Sequence, residues 1–225
     1  MREVAFDTET TGLDPNAGHR VVEFGCVELW NHMPTGRTFH KYCNPERPMP
    51  PEAFAVHGLS DEFLAGHPTF GAIAGELVEF IGDSPIIIHN ADFDMKFLNW
   101  ELKNLNLPII PREQAVDTVS MARKKFPGAP ASLKALCQRF SIDDSHRELH
   151  GALLDSQLLA SVYLELIGGR QPGLELAATA VRGSVSLSVV RTPRAARPHT
   201  ASPEELAAHE AFLKKLKEPI WLLAD

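Results

Sequence analysis

Four carboxylates and one histidine, spread over the first 155 of 225 residues, are the side chains whose types and order could do chemistry. Asp7 and Glu9 stand two apart in Phe6-Asp7-Thr8-Glu9-Thr10-Thr11-Gly12. On a strand that spacing projects both from one face. Neighbouring unpaired carboxylates repel unless a cation or proton intervenes, although such a pair taken alone could equally be a solvated strand end. Thr8, Thr10, Thr11 and Gly12 then offer donors and a tight bend to an approaching phosphate or sugar. Asp94 follows in His89-Asn90-Ala91-Asp92-Phe93-Asp94, where a short strand gives way to a helix, the kind of strand end at which α/β sheets build sites. Asp92 reads as the cap of that helix. In His150-Gly151-Ala152-Leu153-Leu154-Asp155 a loop histidine precedes an aspartate early in a helix. An acid there is costly to bury without a partner. One metal cluster shared by Asp7, Glu9, Asp94 and Asp155 is the simplest account. Hard oxygen ligands suit Mg2+ or Mn2+, and the lack of a Cys pair or His cluster argues against zinc.

The elements that must position these residues alternate between strand and helix patterns. Val4-Ala5-Phe6 reads as a short buried strand. Arg20 to Trp30 and Thr38 to Tyr42 read as hairpin arms around Pro34-Thr35-Gly36. Phe70, Ile73, Leu77 and Phe80-Ile81 share a helix face that Gly82 to Pro85 stops, and Ile86-Ile87-Ile88 is a buried strand. Further helices are expected from about Phe93 to Leu105, from the cap Ser132 through Phe140, and from Ala152 to Ile167. A strand meander followed by alternation indicates an α/β domain with a mixed sheet.

A chain of this length that is 44% hydrophobic suits one domain with a full core plus an appendage. It has no run of about 18 apolar residues that would span a membrane. Its N-terminus enters a strand without the basic and apolar regions of a signal peptide. Cys26, Cys43 and Cys137 form no CxxC pair and are expected to be reduced thiols in a cytoplasmic protein. The formal charge of −7 weighs against a nucleic-acid partner only if bound cations are ignored, since divalent metals reverse the local sign.

Taken in order and interval, the three segments around Asp7, Asp94 and Asp155 resemble the exonuclease motifs of the DEDDh family, named for four acids and a histidine. Within that family they are similar to those of the proofreading epsilon subunits of bacterial DNA polymerase III. The resemblance extends to Pro51–Gly58, Phe126-Pro127-Gly128 and Glu204–Glu210. It implies a ribonuclease H-like, mixed five-stranded sheet flanked by helices, with a flexible C-terminal tail. It implies two divalent cations, Mg2+ or Mn2+, on Asp7, Glu9, Asp94 and Asp155, with His150 as general base. Thr10, Thr11, Glu52, His57 and Phe93 would meet the terminal nucleotide together with Asp7, Glu9 and Asp155. Asp92 is an acid additional to the family pattern, which Phe93-Asp94 fits better. The implied reaction is hydrolysis of the terminal phosphodiester at a single-stranded 3′ DNA end, releasing nucleoside 5′-monophosphates.

Composition changes after Gly168-Gly169, and with the resemblance this implies an exonuclease domain (1–169), a flexible basic linker (170–200) and a docking helix with tail (201–225). Between Glu175 and Glu204 there is no acid, while Arg182, Arg191, Arg194 and Arg197 are present. Gln171, Leu174 and Leu176 resemble the short peptides that bind sliding clamps; a frayed helix end is the plainer reading. Ser202-Pro203-Glu204-Glu205 is a capping-box start. Leu206, Phe212, Leu213 and Trp221 then fit a segment that docks on the polymerase catalytic (alpha) subunit, or one that folds back on its own domain. Two other functions compete: an RNA-trimming exonuclease of the same family, and a non-catalytic binding module on a nuclease fold. Retention of all four acids and His150 weighs against the latter.

Overall fold

Strand β1 runs Arg2–Thr10 in the computed structural model, which describes residues 1–146, 149–168 and 200–217. It carries Asp7 and Glu9 on the same strand as Val4-Ala5-Phe6, as anticipated, and antiparallel pairing with β2 (Val21–Trp30) holds its whole length. The hairpin from β2 to β3 (Met33–Tyr42) turns at Asn31-His32, not at Pro34-Thr35-Gly36. Asn31 and His32 have φ of 49° and 69°, the positive pair that a two-residue type I′ turn needs. Thr35-Gly36-Arg37 instead bulges opposite Glu28, between the pairs Leu29–Pro34 and Val27–Thr38.

Helices α1 (Pro51–His57), α2 (Asp61–Ala65) and α3 (Phe70–Ile81) lead to β4 (Ile86–Ile88), which pairs in parallel with β1. After α4 (Ala91–Asn104), β5 (Ala115–Asp117) pairs in parallel with β4. Then come α5 (Thr118–Lys125), α6 (Leu133–Phe140) and α7 (Ala152–Leu166). The sheet order is β3-β2-β1-β4-β5, a mixed five-stranded sheet flanked by helices, as anticipated. Alternation along the strands divides the core into two layers. Val4, Phe6, Ile86 and Ile88 pack with Phe70 and Leu98 from α3 and α4. Ala5, Val27 and Ile87 pack with Ala122, Leu136 and Leu159 from α5, α6 and α7. Helices on both faces explain why β1 is buried almost continuously. Cys26, Cys43 and Cys137 are buried.

Helix α4 begins two residues before its anticipated start, and Asp92 does not cap it. Its cap position is Asn90, at φ 75°, without a side-chain cap. The acceptor comes from the end of β5, where Asp117 Oδ1 takes the N–H groups of Asn90 and Ala91 at 3.1 and 3.4 Å. Asp92 lies in the first turn, solvent-facing, and pairs with Arg112 at 2.8 Å. Ser132 caps α6 as anticipated, accepting from the Ala135 N–H at 3.3 Å. Helix α8 (Pro203–Leu213) belongs to a second unit and starts with both hydrogen bonds of a capping box, between Ser202 and Glu205. No helix among the described residues is long and apolar enough to cross a membrane.

Candidate active site

Asp7 and Glu9 leave β1 on the side covered by α7, opposite Gly25 and Glu23 of β2. A Cβ built on Gly25 would fall 2.1 Å from the carbonyl carbon of Ala152. Only glycine therefore lets the first turn of α7 lie directly on the sheet. Ser156 Oγ fastens it there by donating to the Gly25 carbonyl at 2.8 Å. The approach carries Asp155 and the preceding His150 to the two strand acids. Asp94 arrives from the opposite layer. Thr8, which alternates to the other side of β1, donates its hydroxyl to Asp94 Oδ1 at 2.6 Å. A register shift between Glu9 and Thr10 ends the regular ladder at this point, as bulges beside sites do.

The cluster is strongly desolvated. Glu9, Asp94 and Asp155 are 7%, 3% and 3% exposed. Burial, and then the charges of Asp94, Glu9 and Asp155, hold the Asp7 carboxyl well above the usual carboxylate range. Burial pushes Asp94 up to about 7 despite its bond from Thr8. His150 Nδ1 lies 3.5 Å from Asp155 Oδ2, with the ring half exposed. Its backbone N–H donates to the Val56 carbonyl at 3.1 Å, tying the loop to α1. One ligand atom each from Glu9, His150 and Asp155 lies within 4.8 Å of the others. Mutually repelling carboxylate oxygens drawn together out of water fit a hard divalent cation, which would remove the repulsion that raises Asp7.

Beside the acids lies a cavity of about 530 Å3, walled by Thr10, Thr11, Glu52, His57, Phe93 and His19 among others. The threonine hydroxyls are not the free donors that their position in sequence suggested. Thr10 donates to the Gly12 carbonyl at 2.6 Å, and Thr11 Oγ1 accepts from the Arg20 N–H and meets His19 Nδ1 at 3.2 Å. They shape the wall by fixing the turn after β1. His57 Nδ1 accepts from the Leu59 N–H at 3.1 Å, so the neutral ring carries its proton on Nε2. Burial lowers the pKa of His57, and nearby His150 adds to that against the opposing charge of Glu23.

The structure thus gathers Asp7, Glu9, Asp94, Asp155 and His150 at one strand end, with Thr10, Thr11, Glu52, His57 and Phe93 around the adjoining cavity. Asp92 points away to Arg112. Leu206 and Phe212 of α8 are 58% and 55% exposed, and Leu213 is half-buried. Gln171, Leu174, Leu176 and Trp221 lie outside the described residues. Supports that sequence reasoning missed are Gly25, Asp117 and the pair Glu23–His40. Glu23 is 3% exposed, faces Glu9 across the ladder and is bonded to His40 Nε2 at 2.7 Å. The alternation of Glu23 with the apolar residues of its strand was the available signal.

Comparison with known proteins agrees with this geometry. A family model described as Exonuclease matches residues 4–163. DNA polymerase III subunit epsilon of Rickettsia felis is 48% identical over 222 residues, spanning 96% of this chain and 97% of the relative. Its Escherichia coli K12 counterpart is 42% identical over 223 residues, spanning 94% and 92%. Among solved structures, exonuclease X in complex with 5′ overhanging duplex DNA superposes with a TM-score of 0.57 at 25% identity, over 73% of this chain and 90% of that one. The nuclease domain of 3′hExo, a DEDDh family member bound to rAMP, shares the fold with a TM-score of 0.63 at 19% identity, over 74% and 91%.

Proposed function

The chain belongs to the DNA polymerase III epsilon subunits of the exonuclease family, and from that premise we propose that it is a proofreading 3′→5′ exonuclease. It hydrolyses the terminal phosphodiester of a single-stranded, mismatched 3′ DNA end and releases nucleoside 5′-monophosphates. The observation that carries this reading is the convergence of acids from two helical layers and one strand, with His150, beside a cavity of about 530 Å3. That volume suits one nucleotide.

Asp7, Glu9, Asp94 and Asp155 are the residues that hold the divalent ions used by this family, two Mg2+ or Mn2+. When bound, such ions offset the carboxylate charge, draw a phosphodiester into an acidic site and acidify a water. His150 is the general base. Asp155 faces its Nδ1, which keeps a proton there and leaves the Nε2 lone pair to take one from the attacking water. The same carboxylate then favours the imidazolium. Phe93, Glu52 and His57 receive the terminal nucleotide, and Thr10 and Thr11 hold the turn against which it rests.

The domain order follows from the same reading: exonuclease 1–169, linker 170–200 and docking segment 201–225. Exposed Leu206 and Phe212, with Leu213 and Trp221, dock on the polymerase alpha subunit. Gln171, Leu174 and Leu176 engage the sliding clamp. A tether of this kind raises the nuclease's local concentration at the primer end. The test uses the full chain with 5′-labelled single-stranded DNA, its RNA counterpart and a duplex with a mismatched 3′ end, in Mg2+, Mn2+ or EDTA. The expected result is stepwise, EDTA-sensitive shortening of DNA from the 3′ end, faster on the mismatch than on a paired end. Preference for RNA would move the protein to RNA processing, and no cleavage by folded protein would favour a binding module.

A further inference from the structure

A second groove borders the acid cluster and shares no lining residue with the terminal-nucleotide cavity. It starts as a cavity of about 410 Å3 whose walls include Asp7, Asp155, His150 and Lys134. It continues into one of about 540 Å3 whose walls include Asn90, Val119, Arg123 and Pro130. The two share His89 and Ser132, and together their walls lead from the reacting centre to α5 and the start of α6.

The charges along this path are unequal. Among the described residues no Lys or Arg lines the terminal-nucleotide cavity, whereas the groove carries Lys134 near the acids and Arg123 further out. Both cations are exposed. Neither makes an ion pair or side-chain hydrogen bond among the described residues, unlike Arg2, Arg20, Arg37 and Arg112, which are held by Glu28, Glu101, Glu28 and Asp92. An exposed cation left unpaired beside an acidic centre keeps its full attraction for an incoming anion. A strand whose 3′-terminal nucleotide fills the first cavity and whose scissile phosphate meets the acids must send its next phosphates out by another route. Of the cavities beside the acids, the groove is the one lined by cations among the described residues.

We propose that this groove is a binding site for the upstream phosphates of the substrate strand, with Lys134 contacting the phosphate next to the scissile one and Arg123 one further upstream. The inference rests on the exonuclease reading given above and adds the path of the strand. These contacts position the polynucleotide but are not needed for the chemistry, and each phosphate neutralised makes binding more sensitive to salt.

The experiment compares wild type, Lys134→Ala, Arg123→Ala, the double variant and the charge-keeping pair Lys134→Arg and Arg123→Lys, all in the full chain with Mn2+. Two substrates are used: single-stranded DNA of eight nucleotides, and the p-nitrophenyl ester of thymidine 5′-monophosphate, which has no upstream phosphate. For the double variant KM on the oligonucleotide should rise by roughly tenfold. The slope of log KM against log salt should become shallower by about 0.7 for each phosphate deprived of its cation. Both kinetic constants on the ester should stay at wild-type values, and the charge-keeping variants should restore most of the oligonucleotide KM. An unchanged oligonucleotide KM and salt slope would overturn the proposal. So would an equal loss on both substrates, which would mark the two cations as supports of the site itself. Wild type that cleaves neither substrate would overturn the exonuclease reading, and the strand path with it.

Discussion

The backbone of Ala152 fills the space where a side chain on Gly25 would begin, with 2.1 Å between the carbonyl carbon of one and the Cβ position of the other. Gly25 is the strand partner of Asp7, so this single contact sets how close the helix bearing Asp155 comes to the strand bearing Asp7. Gly25→Ala should push α7 outward, cost about 1–3 kcal/mol of stability and abolish most metal-dependent DNA cleavage. Ser156→Ala, which removes only the bond to the Gly25 carbonyl, should be milder on both counts. Urea denaturation and cleavage rates would decide, and wild-type activity in Gly25→Ala would refute the account.

Burial of a carboxylate at the site makes metal-free stability depend on pH. The Asp94 carboxyl is raised from its usual 3.8 to about 7, chiefly by burial. A raised carboxyl stabilises the fold fully below the unfolded value, and that contribution is lost as pH rises through the folded value. In EDTA the melting temperature of Asp94→Asn should therefore exceed that of wild type by a margin that grows from pH 5 to pH 8. Mn2+ should raise the melting temperature of wild type but not of the variant. A margin independent of pH would contradict the burial argument.

His150 and Asp7 separate the proton-transfer and cation-holding roles. His150→Ala should slow cleavage by roughly 10²–10⁴-fold while the protein keeps its metal-induced rise in melting temperature. Asp7→Ala should lose both activity and that rise. An unchanged rate in His150→Ala would remove it from the mechanism.

Asp117 joins the starts of two helices, taking the N–H groups of the cap residue Asn90 and of Ala91, the first residue of α4, and that of Val119 in α5. Burial alone would raise its pKa, but bonds from Ser120, Val119, Asn90 and Ala91 outweigh it and leave the carboxyl below its usual range. Its stabilisation is present above the unfolded value and disappears as pH falls through the folded one. Asp117→Ala should cost about 1–2 kcal/mol at pH 7, with the gap to wild type narrowing once pH falls below the ordinary carboxyl value of 3.8. Because α4 carries Asp94, activity should fall as well. Denaturation at pH 7 and below that value checks the sign.

On α8, Leu206→Ala with Phe212→Ala should weaken binding to the polymerase alpha subunit by roughly tenfold or more, about 1.4 kcal/mol. Cleavage of free oligonucleotides should not change, since these side chains are not part of the site. Calorimetric titration of the full chain with the alpha subunit measures the first effect. Undiminished affinity would place the docking surface elsewhere.

By itself the sequence determined the chemistry-bearing residues and the layered α/β plan. Alternation and helical periodicity are local, so α3, β4 and the Ser132 cap of α6 could be read directly, as could the acids in their three segments. Other features were decided by distant partners. The hairpin turned at Asn31-His32 because two residues there adopt positive φ, which no periodicity records. Asp92 looked like a cap, but Asp117 supplies it across the end of the sheet, freeing Asp92 to pair with Arg112. Thr8 and Asp94 are 86 positions apart and face each other only because β1 and α4 meet at one edge. The packing of α7 on Gly25, and the second groove with its Lys134 and Arg123, exist only once the layers close. Hydrogen bonds and steric approach between remote segments depend on tertiary position, and that is why they had to be found in the folded chain.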